Sequence, residues 1–112
     1  MMNEFRTLRS ANLARDKEWC GDVVLSESFL GNELAGEAGE VCNVIKKLER
    51  ERLGLRGSRD TVEHLAEEIA DTMICLDRIA MRYGIVISHA VRKKFNATSE
   101  ANGLKTRLVV PQ

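Results

Sequence analysis

The sequence predicts an all-α protein, an antiparallel bundle of four to five helices completed by homo-oligomerisation, and three observations carry that expectation. The single proline, Pro111, stands next to the C-terminal residue, β-branched runs are nearly absent, and apolar residues recur at spacings of three and four. Nothing interrupts long helices, and little favours strands. The chain has 112 residues, 44% hydrophobic and 30% charged, which is the size and composition of one domain over 1–112, with 104–112 as an extended tail. A chain this short hides roughly two thirds of its unfolded surface on folding. A deep private cleft is then hard to build, so self-association is expected.

The first helix is expected from about Asn3 to Cys20, with Phe5, Leu8, Leu13 and Trp19 among its apolar positions and Cys20-Gly21-Asp22 ending it. The second begins with Ser26 as N-cap and runs to about Leu53, because Leu30, Leu34, Ala38, Val41, Ile45 and Leu48 follow a helical repeat. Gly54, Gly57 and Ser58 mark a loop, after which Asp60 and Glu63 have the form of a capping box with Asp60 as the cap. The third helix carries Val62, Leu65, Ile69, Met73, Leu76 and Ala80 on one face and ends near Tyr83-Gly84, Gly84 being suited to a left-handed position. Ser88 is expected to cap a fourth helix that runs to about Glu100, and Gly103 releases the tail.

Seventeen basic residues balance seventeen acidic ones, which argues against a nucleic-acid or membrane-surface binder held by bulk positive charge. The distribution is uneven: 27–53 and 54–83 each sum to −2, whereas 84–112 sums to +4. Cys20, Cys42 and Cys75 are an odd set at wide spacing, so neither a disulfide framework nor a zinc site is expected. Cys42 and Cys75 read as small core residues. With no apolar run of membrane-spanning length and no signal-peptide pattern, a cytoplasmic protein is expected.

The chemistry-bearing pattern is acidic. Glu33, Glu37 and Glu40 project from one side of the second helix, and Glu68 and Asp71 repeat the arrangement on the third. If the two helices pack antiparallel with their apolar stripes facing, Glu37, Glu40, Glu68 and Asp71 converge from the stripe edges on one oxygen-rich pocket. Such a pocket selects a hard cation, Mg²⁺ first and Mn²⁺ as its substitute. A di-iron bundle requires Glu-x-x-His pairs, and neither His64 nor His89 lies three residues after a glutamate. His64 shares the stripe of Glu68 and Asp71 but reads as exposed or supporting. The small residues Ala35, Gly36, Ala38 and Gly39 suggest close approach of another backbone or a ligand. The competing reading is a non-catalytic helical interaction module with a solvated acidic face.

Glu33-Leu-Ala-Gly-Glu37-Ala-Gly-Glu40-Val41, Leu65-Ala-Glu-Glu68-Ile-Ala-Asp71, Lys94-Phe-Asn96 and Gly103-Leu-Lys-Thr-Arg107, in that order, resemble the MazG-like nucleotide pyrophosphohydrolases of the all-α NTP pyrophosphatase superfamily. The resemblance runs from about Leu30 to Leu108. It implies Mg²⁺-dependent cleavage of a nucleoside triphosphate to a monophosphate and pyrophosphate by a homodimer or homotetramer. Carried over by motif, Glu37, Glu40, Glu68 and Asp71 would hold the metal. Lys94 and Asn96, with Lys93 and Arg107, would contact phosphate and sugar, and Asn12, Arg15 and Trp19 would hold the base, Trp19 by stacking. A lone tryptophan is also a common core or interface anchor. Lys105 joins Lys93, Lys94 and Arg107 as a source of the positive charge that a triphosphate needs. Gly36 stands where many relatives carry a further glutamate. The water-orienting role is therefore left between Glu33, Glu67 and a metal-bound hydroxide.

Overall fold

A computed structural model describes residues 4–109, with side chains from Thr7 onward; Asn3, the Phe5 side chain and Pro111 lie outside the described residues. Four helices follow one another: α1 (Glu4–Cys20), α2 (Glu27–Arg52), α3 (Val62–Arg82) and α4 (Ile87–Ala101), with no strand among the described residues. The chain divides into two compact units. One is Leu25–Ile79, which holds α2 and most of α3; the other combines the chain up to Val24 with the chain from Ala80, and so holds α1 and α4.

Local chemistry explains most helix ends. Ser26 caps α2 in an extended conformation, its Oγ accepting the Phe29 N–H at 3.0 Å. At α3 the cap is Thr61 rather than Asp60, because Thr61 Oγ1 accepts the His64 N–H at 3.1 Å while Asp60 Oδ1 accepts the Thr61 N–H at 2.8 Å. Ser88 is not the cap of α4: that helix opens at Ile87, Val86 takes the cap position with no side-chain hydrogen bond, and Ser88 is buried in the first turn. Gly84 has φ +66°, and the Ile85 N–H returns to the Ala80 carbonyl at 2.9 Å, closing α3 with the bond that a left-handed residue permits. Gly103, also at φ +66°, closes α4 in the same way through the Leu104 N–H and the Ser99 carbonyl at 2.8 Å.

Within the Leu25–Ile79 unit, the N-terminal part of α2 meets the C-terminal part of α3, and the C-terminal part of α2 meets the residues just before α3. The Cys75 thiol donates to the Leu30 carbonyl, Arg78 meets Glu33, and Lys47 meets Asp60, next to the start of α3. The helices are therefore antiparallel, as the carboxylate argument required. Their mutual face is rotated from the expected one. Leu30, Val44 and Cys75 are buried, whereas Ile45, Val62, Ile69 and Leu76 of the expected stripes are exposed. Cys42 is exposed and is not a core residue; Cys75 is one. In the other unit the Arg9 guanidinium donates to the Ile85 carbonyl, and Asn12, Ser88 and Ser99 are buried.

Two substitutions measure these assignments in urea unfolding. Thr61→Ala removes a helix cap and is expected to cost about 1 kcal/mol. Leu30→Ala, at a side chain only 2% exposed, is expected to cost about 2–5 kcal/mol.

Candidate metal centre

The row of α2 that meets α3 is Leu30, Glu33, Glu37, Glu40, Val44 and Lys47, at alternating spacings of three and four. This is a helix-pairing seam in spacing, but its middle is carboxylate. An ion pair stands near each end. Arg78 Nη1 donates to Glu33 Oε1 at 3.1 Å, and Lys47 Nζ lies 3.8 Å from Asp60 Oδ2. Between them, one oxygen from each of Glu37, Glu40 and Glu68 lies within 4.8 Å of the others. Asp71 is outside that three-atom group but close enough for its charge to act on Glu37.

The electrostatics of the cluster follow from this crowding. Burial, then repulsion from Asp71, Glu40 and Glu33, lifts the Glu37 carboxyl above its ordinary range. Glu68 is lifted by burial first and then by the adjoining Glu40 carboxylate, against a smaller downward pull from His64. Glu68 is 7% exposed, and its Oε2 is buried with no hydrogen-bond partner. A buried acceptor left unmade costs about 1–3 kcal/mol, and more when it carries charge. The other oxygen, Oε1, faces His64 Nε2 at 3.0 Å, while His64 Nδ1 faces Asp60 Oδ1 at 2.7 Å. His64 thus bridges two acids one helical turn to either side of it.

An incompletely satisfied, all-oxygen group of three acids fits a hard divalent cation held by carboxylates and water, Mg²⁺ or Mn²⁺. It does not fit iron in the histidine-rich form, since both ring nitrogens of His64 face carboxylates. Glu33 is anchored by Arg78, whereas Glu67 is exposed and outside the group of three.

The residues expected to hold substrate belong to the other compact unit. Asn12 is buried at 2% exposure, whereas Trp19 on the same helix is 82% exposed and is not a core residue. Arg15, Lys93, Lys94, Lys105 and Arg107 are exposed. Asn96 uses both ends of its carboxamide on Leu108: Nδ2 donates to the carbonyl at 3.0 Å, and Oδ1 accepts the N–H at 2.7 Å. Sequence reasoning missed the Lys47–Asp60–His64–Glu68 chain. Its signal was present in the spacing by four of Asp60, His64 and Glu68, running from just before α3 along one side of it.

No family model, curated protein or solved structure matches this chain.

The bridge sets a pH dependence. Asp60 holds the His64 pKa above its ordinary value of about 6.5, chiefly through their hydrogen bond, so this stabilisation is complete below about 6.5 and is lost as pH rises through the raised value. Asp60 is held low, chiefly by the Thr61 N–H, so its contribution is complete above about 3.9 and is lost as pH falls through the lowered value. Asp60→Asn is expected to bring the His64 titration, followed by NMR, down toward that of an exposed histidine; an unchanged midpoint would remove Asp60 as the cause.

Proposed function

We propose that this chain is a Mg²⁺-dependent nucleoside triphosphate pyrophosphohydrolase of the MazG-like kind, releasing a nucleoside monophosphate and pyrophosphate. The observation that carries the reading is the approach of Glu37, Glu40 and Glu68, from two separate acidic motifs, around a buried carboxylate with an unpartnered oxygen. A solvated acidic face has no reason to bury Glu68 in that state. Glu37, Glu40 and Glu68 would hold the metal, with Asp71 beside them. When bound, the ion supplies charge neutralisation at the phosphates and acidification of a bound water.

The chain's own groups divide the remaining work. Arg78 orients Glu33, which makes Glu33 the better candidate than exposed Glu67 for directing an attacking water. Lys93, Lys94, Lys105 and Arg107 supply positive charge for a triphosphate, and exposed Trp19 offers an aromatic face for a base. The resemblance also carries a homodimer or homotetramer. Val62, Ile69 and Leu76, seven residues apart and exposed on α3, support self-association through that stripe. No helix among the described residues is long and apolar enough to cross a membrane.

Glu40→Ala and Asp71→Ala are expected to abolish Mg²⁺-dependent pyrophosphate release, scored over a panel of canonical and modified triphosphates, while helicity by circular dichroism is unchanged. Full activity in either variant contradicts the metal assignment. In thermal-shift measurements Mg²⁺ and a non-hydrolysable nucleotide should stabilise the protein together by more than the sum of their separate effects. An interaction module gives no such synergy. Because burial, and then the charges of its neighbours, disfavour the Glu37 carboxylate, Glu37→Gln in EDTA at pH 7 is expected to melt higher than the unsubstituted protein and to lose the response to Mg²⁺.

A further inference from the structure

The segment after α4 is anchored at two points. The Leu104 N–H is bound to the Ser99 carbonyl at 2.8 Å, and the Leu108 backbone is held on both its N–H and its C=O by the Asn96 side chain. One carboxamide bonded to both polar groups of one residue fixes that residue's position and direction, as an added strand would. Between the anchors lie Lys105, Thr106 and Arg107. Arg107 Nη1 donates to the Leu104 carbonyl at 2.7 Å and the Thr106 carbonyl at 3.1 Å, which folds the guanidinium over this short loop. The loop carries two cations and no acid, and the nearest acid along the chain is Glu100.

We propose that Asn96 is a positioning residue: its carboxamide clasps the C-terminal segment to α4 and thereby presents Lys105 and Arg107 as a preformed cationic loop for a polyphosphate. The proposal rests on the pyrophosphohydrolase reading for the identity of the ligand, and it changes the role of Asn96 from a ligand contact to the group that organises one. A free tail would pay the entropy of ordering each time a polyphosphate bound; a clasped tail has paid it on folding. The remaining N–H donors of Arg107 match the paired oxygens of a phosphate.

The test combines amide hydrogen exchange with calorimetric titration of inorganic tripolyphosphate, using the full chain. Asn96→Ala should accelerate exchange at Leu108 about tenfold, the effect of losing side-chain hydrogen bonds that close it. Asn96→Asp, which keeps the acceptor for the Leu108 N–H, should give an intermediate rate and serves if the alanine variant does not fold. Asn96→Ala and Arg107→Ala should each weaken tripolyphosphate binding several-fold, and the double variant should lose less than the product of the two single losses, because part of what Asn96 contributes is the placement of Arg107. Unchanged Leu108 exchange, independent multiplication of the two losses, or no binding by the unsubstituted protein would each overturn the proposal. Tripolyphosphate binding with the expected coupling, but no pyrophosphate release from any nucleoside triphosphate, would defeat the hydrolase reading and leave the clasp standing.

Discussion

Crowded negative charge at the α2–α3 seam sets the character of the Leu25–Ile79 unit. A seam with spacings of three and four ordinarily buries leucine and valine. Here Leu30 and Val44 are buried, but Glu33, Glu37 and Glu40 stand between them, facing Arg78, Asp71 and Glu68. Arg78 answers Glu33, and Lys47 answers Asp60. The middle has His64 as its cationic contact, and His64 is shared with Asp60.

A seam of this kind sacrifices stability. Like charges at close range and a buried oxygen without a partner each raise the energy of the folded chain, and a few kcal/mol is a large share of a small protein's total. The raised Glu37 and Glu68 carboxyls express the same conflict. A divalent cation would resolve it by replacing repulsion with shared attraction, which is why we propose the cluster as a binding site. The ion pairs near the ends have a different task. They link α2 to Arg78 of α3 and to Asp60 just before α3, on either side of the acids.

Much of this was legible in the residues. Ser26 and Gly84 take the cap and left-handed positions that their chemistry favours, and of the four carboxylates expected to converge from the two acidic motifs, Glu37, Glu40 and Glu68 come together while Asp71 stands outside that group. The failures have physical causes. Asp60 looked like a cap because its side chain suits one, yet that side chain is drawn to Lys47 and His64, and Thr61 takes the position. Apolar periodicity picked out Ala38 and Ile45, whereas the facing row runs through Glu37 and Val44; hydropathy cannot see that Arg78 and Lys47 make an acidic seam tolerable. Asn96 and Leu108 are twelve residues apart, beyond the reach of any local pattern.

Whether the Glu37–Glu40–Glu68 cluster holds a cation, as proposed, is decided by Mn²⁺ titration of the ¹⁵N-labelled protein. A cation site there requires that substoichiometric Mn²⁺ broaden the backbone amides around Gly36–Val41 and Glu67–Thr72 first, and that Mg²⁺ restore them. Broadening spread evenly over exposed acids such as Glu18, Glu51 and Glu100, or none at all, would contradict it.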